Sequence, residues 1–215
     1  YDSVGNRIVR RQETNIGDFC ADALRSFTDA DIAMVNGGGI RTNIKRGEIL
    51  FNDLYNVMPF GDMIATGTFY GEQLLDVLEF AVSALPTEAG TFMQVSGLRF
   101  TVDPDIPSPV MKDTETGMFS HVGEGERRVS HVEILDKQSG EYKAVELSRQ
   151  YTIATLDYLI LEQGGSGILS CVKPDSIYWG ADIEVLRHYL ESVLGGNIGS
   201  EYTQPQGRII YKYFN

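Results

Sequence analysis

Asn36, three consecutive glycines and Arg41 are the residues of this chain whose types and spacing most invite chemistry. In Val35-Asn36-Gly37-Gly38-Gly39-Ile40-Arg41, a donor-rich amide and a permanent cation flank a stretch without side chains, where backbone amides can approach a ligand closely. That grouping suits an oxygen-rich ligand, anionic or polyhydroxylated. Taken alone it reads equally well as a tight turn with a solvated arginine after it. It has neither the spacing of a dinucleotide fingerprint nor the Lys-Ser/Thr pair of a P-loop. Phe60-Gly61-Asp62 is the second such place, because Pro59 ends a helical pattern and leaves a large ring in a loop. The ring either folds back into the core or is offered to a planar ligand.

Patterns that would run catalysis are missing. His121, His131 and His188 stand apart, and no Asp-x-His, His-Glu-x-x-His or His-x-His pair occurs. A catalytic zinc or di-metal centre built by these residues alone is therefore not expected, and no metal ligand or catalytic residue is assigned. Gly165-Ser166-Gly167 lacks the flanks of a nucleophile elbow. Cys20 falls on an apolar helix face and reads as a core thiol; together with Cys171 it permits one disulfide without implying it.

The elements that must position these residues follow from periodicity. Thr14 or Asn15 caps a helix whose Ile16, Phe19, Cys20, Ala23, Leu24 and Phe27 recur at helical spacing, after an extended or edge-strand lead-in over residues 8–13. Ile32 to Val35 reads as a buried strand, residues 52–58 as a short helix and residues 63–69 as a strand. Gly71 opens an amphipathic helix that Pro86 closes. Residues 92–102 read as one strand with a bulge or close contact at Gly97, and residues 103–125 as an ordered excursion or a mobile loop. A hairpin over 129–145, a strand over 151–156, a second glycine cluster at 164–167, a helix over 181–194 and a strand over 207–211 complete the chain. Interspersed strands and helices with hairpins indicate an α+β (mixed α/β) layered domain covering residues 1–215.

The 215 residues suffice for one sizeable core, and 42% hydrophobic with 22% charged residues is an ordinary globular balance. A net charge of −12 argues against sequence-independent DNA or RNA binding, which needs clustered cations. No apolar run is long enough to span a membrane. The first residue is Tyr1, which suggests a processed or trimmed piece.

Taken together, residues 12–18 (Gln-Glu-Thr-Asn-Ile-Gly-Asp), Asn36 to Arg41, Pro59 to Asp62, Phe92 to Gly97, Gly164 to Gly167 and Gly207-Arg208-Ile209 occur in an order that resembles the C-terminal domain of 5′-nucleotidases and UDP-sugar hydrolases. The resemblance implies a four-layer α/β/β/α fold that binds the nucleotide or nucleoside. It also implies a separate metallophosphoesterase domain, N-terminal or on a partner chain, that holds two divalent metal ions such as zinc or manganese and does the hydrolysis. A periplasmic, cell-surface or secreted location is implied as well. Asn36, Gly38 and Arg41 would then contact sugar and polar groups, Phe60 would stack on the base, Asp62 would line the same site, and Ser96-Gly97 would approach the base edge. Asn15 stands where the family often has Arg, and Ser166 where it usually has Asp. The second stacking position falls on Ile160 by spacing, or on Tyr158 if the loop carries two extra residues; Tyr158 is preferred, because an aliphatic chain does not stack as a ring does. The competing expectation is a non-catalytic domain of the same fold that binds another ligand or a protein.

Overall fold

The computed structural model describes residue 2, residues 5–161 and residues 166–212, with only the backbone of residues 177–179. In the first half of the chain come α1 (Asn15–Thr28), β1 (Ile32–Asn36), α2 (Phe51–Val57), β2 (Met63–Tyr70), α3 (Gly71–Ala81), β3 (Met93–Ser96) and β4 (Leu98–Val102). Then follow β5 (Val110–Lys112), β6 (Phe119–Val122), β7 (Val129–Leu135), β8 (Tyr142–Ala144), β9 (Gln150–Leu156), α4 (Asp157–Ile160), β10 (Lys173–Ala181), α5 (Asp182–His188) and β11 (Ile209–Tyr211).

Thr14 caps α1, its hydroxyl accepting from the Gly17 amide at 3.1 Å, while Ile16, Phe19, Cys20, Ala23 and Leu24 face the core. Thr14→Ala should cost about 1 kcal/mol in a urea melt; an unchanged midpoint would show that the cap contributes nothing. Helix α1 packs on β1, β3 and β9 and against α5, and α3 touches strands of both main sheets. The first sheet has the order β10-β2-β9-β1-β3 and the second β11-β4-β7-β8, with β5 and β6 as a separate hairpin. This is the mixed α+β class the interspersed pattern implies.

Strand direction in the first sheet decides where ligands can bind. β1 and β9 are parallel, while β2 and β3 run antiparallel to their neighbours in register Ile64↔Leu156 and Asn36↔Met93. The carboxyl ends of β1 and β9 therefore meet the amino ends of β2 and β3 at one edge, the kind of edge at which open sheets bind ligands. The Asn36 loop, Phe60 to Asp62, the segment before Met93 and Tyr158 all gather there.

The structure changes one expectation, adds a strand and decides between readings left open for Gly97 and residues 103–125. Residues 8–10 form a 3-10 turn, not a strand, and buried Gln94 holds them by donating to the Val9 carbonyl at 2.9 Å and the Gln12 carbonyl at 2.7 Å. Gly97 is not a bulge: with φ 71° it is where the chain leaves β3 in one sheet for β4 in the other. β10 escapes a hydrophobic pattern because it is an edge strand carrying Lys173, Pro174 and Asp175. The 103–125 excursion is ordered, with Phe119 tilted against Phe80 at 4.8 Å. Cys20 is buried, and both cysteines are free thiols.

Candidate functional site

Gly37 and Gly38 owe their presence to close approach of the protein's own backbone. A Cβ on Gly37 would overlap the Val9 carbonyl, and one on Gly38 would sit 3.0 Å from the Gly90 carbonyl oxygen. The amides of all three glycines are also committed: Gly37 donates to Phe92 at 2.7 Å, Gly38 to Gly90 at 3.0 Å and Gly39 to Asn36 at 2.9 Å. The loop is therefore no anion cradle, which corrects the reading of its amides as ligand donors. Its contribution is Asn36. The side-chain nitrogen of Asn36 donates to the Gly90 carbonyl at 3.3 Å, which fixes the amide's orientation, and its Oδ1 is buried without a partner.

At the shared sheet edge lies a cleft of about 470 Å³. Asn36, Gly38, Phe60, Asp62, Tyr158 and Ser166 line it, and the sequence singled out all six. Phe60 is 61% exposed and Tyr158 38% exposed, so both rings stand at the mouth instead of in the core. Ile160 is buried, so of the two spacings considered it is Tyr158 that reaches the cleft. Asp157 ties the two ring-bearing segments together, its Oδ1 accepting from the Tyr158 amide at 2.8 Å and the Met63 amide at 3.1 Å.

Ser166 is buried, and its carbonyl accepts from the Phe119 amide at 2.7 Å, so the β5–β6 hairpin braces the second loop. Gly164 and Gly165 lie outside the described residues. The cleft also takes in Gly90, Thr91 and Met93, which sequence reasoning missed. Gly90 closing on Gly38 was the available signal, yet a lone glycine before a strand carries little weight.

Four expected residues are elsewhere. Arg41 is not in the cleft lining: its guanidinium donates to the Gly38 carbonyl at 2.9 Å and lies 5.7 Å from the centre of the Phe60 ring, so it braces the loop and the ring. Asn15 donates to the Tyr202 carbonyl at 2.8 Å and caps the Ile16 amide. Ser96 and Gly97 sit at the far end of β3, because Ala33↔Ser96 and Asn36↔Met93 are opposite ends of one ladder. Ser96 is buried and donates to Asp22, while a Cβ on Gly97 would overlap the Asp31 carbonyl, so neither approaches the cleft.

Further acidic groups, Asp157 and Asp182, lie near Asp62 but outside the cleft lining. Asp182 is buried, accepts from its neighbour's amide at 2.6 Å through Oδ1 and leaves Oδ2 without a partner. Burial first, then the charges of Asp62 and Asp157, push its carboxyl up to about 6. In the folded protein Asp182 thus holds its proton to higher pH than in the unfolded chain. Its contribution to stability is full below pH 4 and is lost as pH rises through about 6. In Asp182→Asn the pH dependence between 4 and 6 should flatten in denaturant melts; an undiminished slope would assign it to other groups.

Among the described residues no group of three or more His, Cys, Asp or Glu could hold a metal ion. His188 instead packs edge-on to Phe27 at 5.9 Å, and His121 and His131 bond to neighbouring serines. The donor set of the described residues does not fit a di-metal centre. Nor, among the described residues, is any helix long and apolar enough to cross a membrane.

The family model described as "5'-nucleotidase, C-terminal domain" matches residues 3–173. The chain is 31% identical over 205 residues to the trifunctional nucleotide phosphoesterase protein YfkN of Bacillus subtilis, covering 94% of this chain and 12% of that protein. It is 29% identical over 210 residues to the 5′-nucleotidase of Vibrio parahaemolyticus, covering 97% of this chain and 32% of the relative. The crystal structure of a 5′-nucleotidase precursor from Thermus thermophilus superposes with a TM-score of 0.77 at 28% identity, over 96% of this chain and 37% of that one. These relatives are about three times as long as this chain or longer.

Proposed function

Since the chain belongs to the 5′-nucleotidase C-terminal domain family, we propose that it is the nucleoside-recognition part of a metallophosphoesterase that hydrolyses nucleoside 5′-phosphates or nucleotide diphosphate sugars. The observation that carries this reading is the pair of exposed rings, Phe60 and Tyr158, at the mouth of one cleft that Asn36 also lines. Two rings take a planar base by offset stacking. Because no cation lines the cleft among the described residues, the phosphate belongs outside it, toward the metals of a catalytic domain.

In this reading the two divalent ions sit in that other domain, carried on the same polypeptide or on a partner chain, and supply the activated water. The greater length of the relatives supports the same-polypeptide arrangement. The residues of this chain bind and orient: Phe60 and Tyr158 hold the base, Asn36 and Ser166 hold polar atoms of the nucleoside, and Arg41 keeps Phe60 and the glycine loop in place. A location in the periplasm, at the cell surface or in the medium goes with this assignment.

Titration calorimetry of the 215-residue chain with nucleosides and their 5′-monophosphates tests the reading. Binding with little gain from the phosphate is expected, and no binding of any nucleoside would refute it. Arg41→Ala should weaken binding several-fold through a less ordered Phe60, without loss of fold; unchanged affinity would leave Arg41 as a solvated surface group.

A further inference from the structure

Three consecutive strands of the first sheet, β10, β2 and β9, each have an aspartate as the first residue beyond the strand at the cleft edge: Asp182 follows Ala181, Asp62 precedes Met63 and Asp157 follows Leu156. The ladders bring them together, since Ala181 pairs with Met63 and Leu156 with Ile64. Both ring-bearing segments hang from this row. Phe60 lies two residues before Asp62, whose carbonyl accepts from the Asp182 amide at 2.8 Å. Tyr158 follows Asp157, whose Oδ1 accepts from the Tyr158 amide at 2.8 Å and the Met63 amide at 3.1 Å.

Asp182 is the fully buried member, with Oδ1 bonded to the Ile183 amide at 2.6 Å and Oδ2 without a partner. The charges that bear most on it are those of Asp62 and Asp157, so an anion there is desolvated and repelled at once. The elements packed on α5 offer it no relief. From α1 comes the Cys20 thiol, pushed up by burial and then by the charge of Asp182, while Asp18 and Asp22 of that helix face Arg208 and its Arg25 donates to the Asp31 carbonyl. In α2, Asp53 accepts from the Leu50 amide and Tyr55 is exposed; in β10, Lys173 and Asp175 are exposed at the strand's other end. Glu184, Arg187 and His188 of α5, and Glu191 after it, are exposed.

Resting on the nucleoside-cleft reading above, we propose that Asp182 is a positioning residue for the Phe60 and Tyr158 rings and that its protonation tightens nucleoside binding. A base seated between the rings takes water away from Asp62, which lines the cleft, and so weakens the screening between the three acids. Neutralising one of them relieves the repulsion. In the free protein the Asp182 carboxyl is already pushed up to about 6, and the liganded form holds that proton to higher pH still. By linkage, affinity is full below about pH 6 and declines above it until the bound form ionises as well.

Calorimetry with adenosine and guanosine, neither of which titrates between pH 5 and pH 8, reads this directly. The 215-residue chain should bind on the order of three- to tenfold tighter at pH 5 than at pH 8. Titrations at pH 6.5 in buffers of different ionisation enthalpy should show proton uptake on binding. Asp182→Asn should bind equally at both pH values and take up no proton, whereas a merely structural defect would lower affinity at both and keep the slope. Carboxyl NMR of the unaltered chain needs no variant: the Asp182 midpoint should rise when nucleoside is bound. An unmoved midpoint, binding no tighter at pH 5, or a slope that survives Asp182→Asn would each overturn the proposal. If binding is lost in Phe60→Ala but does not vary with pH, the nucleoside cleft stands and only the role of Asp182 falls. If no nucleoside binds at either pH, both readings fall.

Discussion

Replacing Phe60 by alanine should weaken nucleoside binding roughly 30- to 100-fold, about 2–3 kcal/mol, while changing the stability of the free protein by less than about 0.5 kcal/mol. The two effects separate because the ring is 61% exposed and therefore packs little of the core in the free chain. It borders the open cleft, with the Arg41 guanidinium 5.7 Å from the ring centre. Stacking has a chemical signature that simple burial lacks: Phe60→Trp should keep or raise affinity, and Phe60→Leu should lose most of it although leucine is comparably apolar. Calorimetry of the three variants against one nucleoside decides the matter. Retained affinity in Phe60→Ala would exclude the ring from recognition, and equal affinities for the leucine and tryptophan variants would replace stacking by plain hydrophobic contact.

Loss of Arg208 should damage the fold more than any single change in the cleft. Its guanidinium, 7% exposed, donates to the Val95 carbonyl at 2.6 Å, to Asp22 at 2.7 Å and to Gln206 at 2.8 Å, and stands 3.6 Å from Asp18. Asp22 also accepts from Tyr202 at 2.7 Å and from Ser96, so one cation balances a knot that joins α1, β3 and the last strand. Arg208→Ala leaves the buried Asp18 and the partly buried Asp22 carboxylates without their counter-ion, a change that costs about 3–5 kcal/mol. Burial already pushes the Asp18 carboxyl up, with Arg208 opposing that push, and removing the cation raises it further. The folded variant then binds a proton at Asp18 more readily than the unfolded chain does, so its deficit is largest at neutral pH and shrinks as pH falls and Asp18 protonates. Urea melts followed by circular dichroism at pH 5 and pH 7.5 should show that trend. A loss below about 1 kcal/mol, or a deficit that grows in acid, would mean that the knot is not held by charge.

The cleft residues were partly visible before folding because loop aromatics stand out from periodic neighbours. Phe60 follows a proline and has no core position by period, whereas Tyr158 lies in α4 and was reached only through the resemblance of its motif to the family's. Ser96 and Asn15 misled for the opposite reason. Each belongs to a motif near the right sequence, but Ser96 lies at the wrong end of its strand and Asn15 bonds the chain at Tyr202.

By itself, the sequence determined what depends on near neighbours: the cap and apolar face of α1, the buried run of β1, the β7–β8 hairpin, and the isolation of the three histidines. These are set by side-chain period and turn chemistry over a few residues. The tertiary structure alone decided which strand ends share an edge, that the amides of Gly37 to Gly39 are spent on Phe92, Gly90 and Asn36, and that Arg41 supports Phe60 from outside the cleft. A group's availability to a ligand depends on which distant partner has already satisfied it, and strand order and register choose that partner across tens of residues.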